Sequence, residues 1–354
     1  MKPHPLVISR LSSMNIPYLS STIAIWRPRS VRRNWPGVAV ATVIALSATF
    51  ISTSYGGPQL LYALFFGLAF HFLANDPTAQ PGIEFCSKVL LRIGVALLGA
   101  RITFAQIASV GITPLVIVIG ALIMTLCFGY LLSRRLKRPA NEGLLSGGSV
   151  AICGASAALA ISAVLPQTKE NEKFTLLTVV GVTTLSTAAM IVYPLVVNLL
   201  GLDPTEAGVF IGGTIHDVAQ VVGAGYLVSN HTGDVATFVK LTRVACLVPV
   251  VLTLAILFKS KDGKTDIDAP PLVPFFLIGF VWLVLANSLG FIPQQATGWI
   301  SDASRACLVT AIAALGVKTS FQSLASLGWR PVFMLVMETV WIAMLVAGAL
   351  LLSR

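Results

Sequence analysis

Long apolar runs, separated by short polar or glycine-bearing connections, recur along almost the whole chain. A helix needs about 20 such residues to cross the hydrocarbon of a bilayer. On that measure the pattern predicts eleven approximate spans: 37–54, 58–74, 83–100, 112–133, 142–165, 173–199, 206–229, 236–258, 271–289, 299–317 and 332–352. The expected fold class is an all-α polytopic membrane protein, with a basic cytoplasmic segment over 1–36 and one transmembrane domain over 37–354.

Two of these runs differ from an ordinary anchor. Gly147–Ala158 reads GGSVAICGASAA, and Gly212–Gly225 reads GGTIHDVAQVVGAG. Each glycine pair permits a helix to unwind, and unwound backbone at membrane depth survives only where protein buries it or where it lines a cavity. Amides exposed at a half-helix N-terminus, with hydroxyls beside them, make an anion seat without a fixed charge. That logic singles out Gly147, Gly148, Ser149, Cys153, Gly154 and Ser156 in the first segment, and Gly212, Gly213, Thr214, His216, Asp217 and Gln220 in the second. The plainer reading of a single glycine pair is close helix packing. His216 and Asp217 are adjacent, so on a continuous helix they diverge by about 100°, which favours a proton-coupling role over a dyad.

Charges inside the other runs each need a reason, because an ionised side chain at the bilayer centre is costly. Glu84, Lys88 and Arg92 follow each other at i, i+4, i+8 along one helical face. Lys240 with Arg243, and Asp302 with Arg305, are similarly spaced. Glu84, Lys240 and Asp302 lie near predicted span ends and read as snorkelling or structural pairs. Lys88, Arg92, Arg243 and Arg305 sit deeper and are candidates for an anion pathway, with Arg92 and Arg243 balancing the anion's charge.

Ile93–Pro114 aligns without gaps on Thr310–Pro331, with eight of 22 positions identical, among them Gly99/Gly316, Phe104/Phe321, Gly111/Gly328 and Pro114/Pro331. With eleven spans the two copies turn on opposite sides of the membrane, as in an inverted-topology repeat. A weaker match of Gly67, His71 and Ala74 to Gly212, His216 and Ala219 implies a different register.

Composition agrees with the membrane class: 56% of residues are hydrophobic, 11% are charged, and the mean hydropathy is +0.86. The formal charge of +10 is explained by topology, since Lys and Arg collect in connections on one side, which places the N-terminus inside and the C-terminus outside. The aromatic-and-basic pattern of a nucleic-acid groove is absent. Residues 1–35 carry six basic and no acidic residues, the flank expected of a first helix, although such a leader also resembles an organelle transit peptide. Cys86, Cys127, Cys153, Cys246 and Cys307 all fall in apolar runs with no CxxC, so neither a disulfide framework nor a metal site is expected. No cofactor is expected.

The runs PGIEFCSKVLLRIGVALLG, GGSVAICGASAALA, GGTIHDVAQVVGAG and KLTRVACLVPVVL resemble the YeiH-type family of bacterial inner-membrane proteins, whose family label is sulfate exporter. The resemblance covers roughly residues 58–352 and leaves the basic leader outside; His71, in GLAFHFLAN, departs from the family pattern. It implies a fold similar to the cation/proton antiporter and anion transporter group, with two inverted five-helix repeats, discontinuous helices crossing near the midplane, and an extra helix. It also implies a secondary carrier in the cell inner membrane for a small oxyanion or organic sulfonate. A proton or sodium is the expected coupling ion, and no enzymatic activity is expected. Homo-oligomer formation stays open.

Two alternatives stand beside it. A cation/proton antiporter would use Asp217 as its ion-binding carboxylate. An intramembrane hydrolase or acyl transferase would need Cys153 or Ser156 within reach of His216, and the sequence has neither GxSxG nor HExxH.

Overall fold

The computed structural model describes residues 28–353, apart from 57–58, 106–107, 109–110, 167, 259–274 and 320–328. The regular secondary structure of the described residues is all helical. In chain order they form α1 (Pro28–Tyr55), α2 (Gln59–Ala69), α3 (Gln80–Phe85), α4 (Leu91–Leu98), α5 (Ile112–Arg135), α6 (Ala140–Ala151), α7 (Ala155–Ser162) and α8 (Lys169–Leu199). Then follow α9 (Pro204–Thr214), α10 (Val218–Val228), α11 (Asn230–Ala245), α12 (Leu247–Leu257), α13 (Phe275–Ser288), α14 (Gln294–Lys318) and α15 (Trp329–Leu352). Among the described residues, six stretches are long and apolar enough to cross a membrane on length and composition: Arg33–Tyr55, Ile112–Arg135, Lys169–Leu199, Asn230–Leu257, Gln294–Lys318 and Trp329–Leu352.

The helices pack as two bundles. One holds α1 to α4 with α13 and α14; the other holds α5 to α12 with α15. They meet where α10 lies against α2 and α14. Within each bundle small residues set the closest approaches. A Cβ on Gly316 of α14 would collide with the Leu64 carbonyl of α2, and one on Gly143 of α6 with the Gly129 carbonyl of α5. Only glycine lets those backbones come so near.

The stretches 142–165 and 206–229, expected as two full spans, are instead two hairpins with short legs. The α9 helix starts on a capping box, with Asp203 accepting from the Thr205 and Glu206 amides while the Glu206 carboxylate receives the Asp203 amide. That start lies beside the start of α11: Thr232 donates to the Pro204 carbonyl at 3.0 Å, and Thr205 Oγ1 lies 3.0 Å from His231 Nε2. Because α10 ends at Val228, just before α11, it has returned to the face from which α9 entered.

The pair α6 and α7 behaves alike. A Cβ on Gly148 of α6 would meet the Ile161 side chain of α7, and Arg138, Pro139 and Glu142 share a cavity with Glu170 and Lys173 at the start of α8. Since α8 runs from that face to the start of α9, the two hairpins enter from opposite faces. Their legs have 12, 8, 11 and 11 residues. At 1.5 Å per residue each reaches about half of a 30 Å hydrocarbon layer.

In the register that pairs Gly99 with Gly316, Ile112 falls on Trp329 and Arg135 on Leu352, so α5 and α15 coincide end to end. The preceding helices stop alike, the Ile102 amide on the Gly99 carbonyl and the Thr319 amide on the Gly316 carbonyl. Phe321 and Gly328 of the second copy lie outside the described residues, as do residues 1–27 of the basic leader.

The hairpins make a prediction that eleven spans do not. In a cysteine-free background, single cysteines at Arg135 and Lys169 should label with an impermeant maleimide from one face, and those at Leu199 and His231 from the other. Eleven crossings would instead put positions 135 and 169 on opposite faces.

Candidate functional site

The hairpin tips are where the helices break, and the breaks fall beyond the glycine pairs. Gly147 and Gly148 lie within α6, Gly212 and Gly213 within α9, all four buried where neighbouring helices pack: Gly147 near α5, Gly212 against the Ala236 carbonyl of α11, and Gly213 near Val118. The expectation that these pairs unwind is corrected; they are contact points. The chain leaves helix at Ile152–Gly154 and Ile215–Asp217, where Gly154 takes φ +64°, a left-handed conformation costly to any side chain. A Cβ on Gly154 would lie 3.5 Å from the His216 Cβ, so the two tips touch.

Each broken helix leaves its last carbonyls without amide partners. Lys240 and Arg243, one turn apart on α11, fill this gap in both hairpins. Lys240 Nζ donates to the carbonyls of Ile152 at 2.7 Å and Ile215 at 2.8 Å. Arg243 donates to Val150 (2.8 Å), Ala151 (2.9 Å), Gly212 (3.0 Å) and Ile215 (3.2 Å). Both side chains are buried. Two cations thus sit on the negative ends of α6 and α9, where helix dipoles favour them. Lys240, expected to snorkel from a span end, lies deep because α11 begins at Asn230, before the predicted boundary at 236.

The other two helix ends differ from each other. Asp217 is the N-cap of α10, accepting from the Ala219 amide at 3.3 Å, while its own amide donates to Ser186 Oγ at 3.0 Å. No side chain caps α7, whose N-cap is Gly154. The Ala157 amide faces the Cys153 sulfur, and the amides of Ala155 and Ser156 have no partner among the described residues. Ser156 is exposed and Asp217 half-buried. Lys318, at the C-terminus of α14 in the other bundle, is near enough for its charge to act on Asp217.

The remaining predicted residues are placed as follows. Ser149 and Thr214 donate back to the carbonyls of Leu145 and Phe210, and both are fully buried. Gln220 donates to Thr187 Oγ1 at 3.3 Å. Thr339 of α15 gives its hydroxyl proton to the Leu335 carbonyl, so His216 Nε2, 2.9 Å away, is the donor to Thr339. No hydrogen bond among the described residues joins His216 to Cys153 or Ser156. Arg92 is exposed on α4, in the other bundle. A π-turn over Cys86–Leu90 inserts extra backbone between Lys88 and Arg92 and breaks the expected face, leaving Lys88 paired with Glu84.

Ser186, Thr187, Thr339 and Lys318 were not singled out from the sequence. The first two lie in the hydroxyl-rich run TTLST of α8, a signal that was available. Lys318 gives none beyond its place at the end of an apolar run. Outside this site, an open cavity of about 940 Å³ lies on the face of the second hairpin, with Arg101, Tyr226, Asn287, Asp302 and Arg305 among its walls.

The family model described as conserved hypothetical protein 698 matches residues 36–335. A UPF0324 membrane protein of Chlorobaculum tepidum is 54% identical over 90% of this chain and 89% of its own length. The UPF0324 membrane protein TauZ of Paracoccus pantotrophus is 46% identical over 90% and 96%. A UPF0324 membrane protein of Rhizobium meliloti is 44% identical over 89% and 92%.

If Arg243 holds the tips, Arg243→Met should lower the thermal unfolding midpoint of the purified protein, at about 1–3 kcal/mol for each carbonyl left unsatisfied. Arg92→Met should leave the midpoint unchanged, because Arg92 is exposed.

Proposed function

The chain belongs to the YeiH/UPF0324 family of membrane proteins, and on that premise we propose that it is a secondary transporter of a small anion working by alternating access. Sulfate, sulfite or an organic sulfonate is the substrate class, and the cell inner membrane is the location. The observation that carries the reading is the asymmetry of the two tips. Lys240 and Arg243 are consumed by the carbonyl ends of α6 and α9, while the amide end of α7 is uncapped beside an exposed hydroxyl. An uncapped helix N-terminus favours an anion.

Asp217 on the facing tip supplies the coupling. Its carboxylate repels an anion seated at Ala155 and Ser156 unless it carries a proton or a cation. Anion and coupling ion therefore bind together, which is how a carrier moves one at the expense of the other. Lys318 enters from the opposite bundle, so its approach to Asp217 depends on how the bundles lie. Rocking of the α1–α4, α13, α14 bundle against the hairpin bundle would open the seat to each face in turn.

The matching pairs α5/α15 and α4/α14 support an inverted-topology repeat, since the start of α15 lies beside the α5–α6 connection and thus opposite the start of α5. Orientation follows from charge. Arg134, Arg135, Lys137, Arg138, Lys169, Lys173 and Arg330 lie at the face of the first hairpin beside Glu142, Glu170 and Glu172, and this basic excess supports a cytoplasmic assignment of that face. The other face has Arg101 and Arg305 against Asp203, Glu206, Asp234 and Asp302.

In proteoliposomes, wild-type protein should take up labelled sulfate or sulfite. Ser156→Trp, which fills the seat from an exposed position, and the double variant His216→Ala, Asp217→Ala should abolish uptake. Transport that follows a sodium gradient and ignores sulfur anions would replace this reading with a cation/proton antiporter.

A further inference from the structure

The α15 helix carries a carboxyl group that the anion seat does not use. Glu338 is fully buried and faces α5 and α6. Its Oε1 accepts from Ser146 Oγ at 2.7 Å, and its Oε2 has no partner among the described residues. A Cβ on Gly129 would lie 2.8 Å from Oε1, so the glycine makes the room in which the carboxyl sits.

Three acidic groups among the described residues are ion-paired: Glu84 with Lys88, Glu142 with Arg138, and Asp234 with Arg101. Glu338 has no such cation among the described residues. The groups facing it are Gly129 of α5 and Ser146 of α6. On α6 the nearest charge is Glu142, one turn before Ser146 and held by two nitrogens of Arg138. The charged residues of α8 and α9, namely Lys169, Glu170, Glu172, Lys173 and Glu206, are confined to first turns at the two faces, and Tyr193 packs on Phe210. On α15 itself Arg330 is at the first turn. His216, from the second tip, is occupied by Thr339. An ionised carboxylate with one neutral donor would be a bare buried charge, which such a site does not sustain.

We propose that Glu338 is a proton-binding site, neutral in this conformation, and that loss and recapture of its proton is coupled to movement of the hairpins. The coupling is written in the neighbouring residues of α15. Glu338 holds the first leg of one hairpin through Ser146, and Thr339 holds the tip of the other through His216. Breaking the O–H bond of Glu338 requires water to reach it and take the proton, and water enters only if the α15–α6 contact opens. Closing the contact requires the proton back.

The role in transport rests on the carrier reading above; the protonation state does not. Purified protein at neutral pH should show an infrared carbonyl band of a protonated carboxyl that Glu338→Gln removes and Asp217→Asn does not. Glu338→Gln, the closest mimic of the neutral acid, should keep the unfolding midpoint of wild type. In proteoliposomes, an inwardly directed proton gradient should raise sulfate accumulation by wild type and raise it less in Glu338→Gln, where Asp217 alone remains. If Glu338→Gln leaves the band intact, the proton site is refuted whether or not sulfate moves. If the band is lost but the variant still responds to the gradient as wild type does, the coupling is refuted. A wild type that transports no sulfate refutes the carrier reading and with it the coupling, while the infrared result still decides the proton site.

Discussion

Helices that break at membrane depth leave carbonyls that neither lipid nor bulk water can satisfy. This protein breaks two helices in its middle and brings both sets of carbonyls to one pair of cations. Six hydrogen bonds from Lys240 and Arg243 reach five carbonyls of Val150, Ala151, Ile152, Gly212 and Ile215. Neither cation has a salt-bridge carboxylate among the described residues. Partial charges at two helix C-termini take the place of a counter-ion, and each cation satisfies groups that would otherwise be bare. Hairpins from opposite faces are thereby fixed tip to tip, with α11 as the post to which both are tied.

The same arrangement decides what the tips can hold. With the negative ends covered, the positive ends are left, and the two are treated differently. Asp217 caps α10, whereas glycine precedes α7 and caps nothing. A seat that attracts an anion and a carboxylate that repels one are thus placed on touching tips, and that opposition ties anion binding to a second ion. The α15 helix adds a restraint from behind, through Ser146 on one hairpin and His216 on the other.

Much of this was legible in the sequence, though not at the right grain. Apolar runs of span length identified the membrane class, and the two glycine-bearing segments with His216, Asp217, Cys153 and Ser156 do meet at one place. Run length alone could not tell a crossing from a hairpin, because a 12-residue leg, a tip and an 8-residue leg together have the length of one span. The glycine pairs, which permit a break, serve packing instead. The breaks lie a turn later at Ile152–Gly154 and Ile215–Asp217, where the cause is a tertiary one, the pull of Lys240 and Arg243. Arg92 was misplaced by a π-turn that no periodicity reveals, and Lys240 by a helix boundary. Glu338 stands alone in an otherwise apolar stretch of the last helix, and that isolation is the signal the sequence offers.

The measurement closest to the centre of this account is an experimental structure of the purified protein with selenate, a heavy analogue of sulfate, located by its anomalous scattering. The account predicts selenium density at the amides of Ala155 and Ser156, between the touching tips. Density confined to the open cavity beside Arg101 and Arg305, with none at the tips, would contradict it.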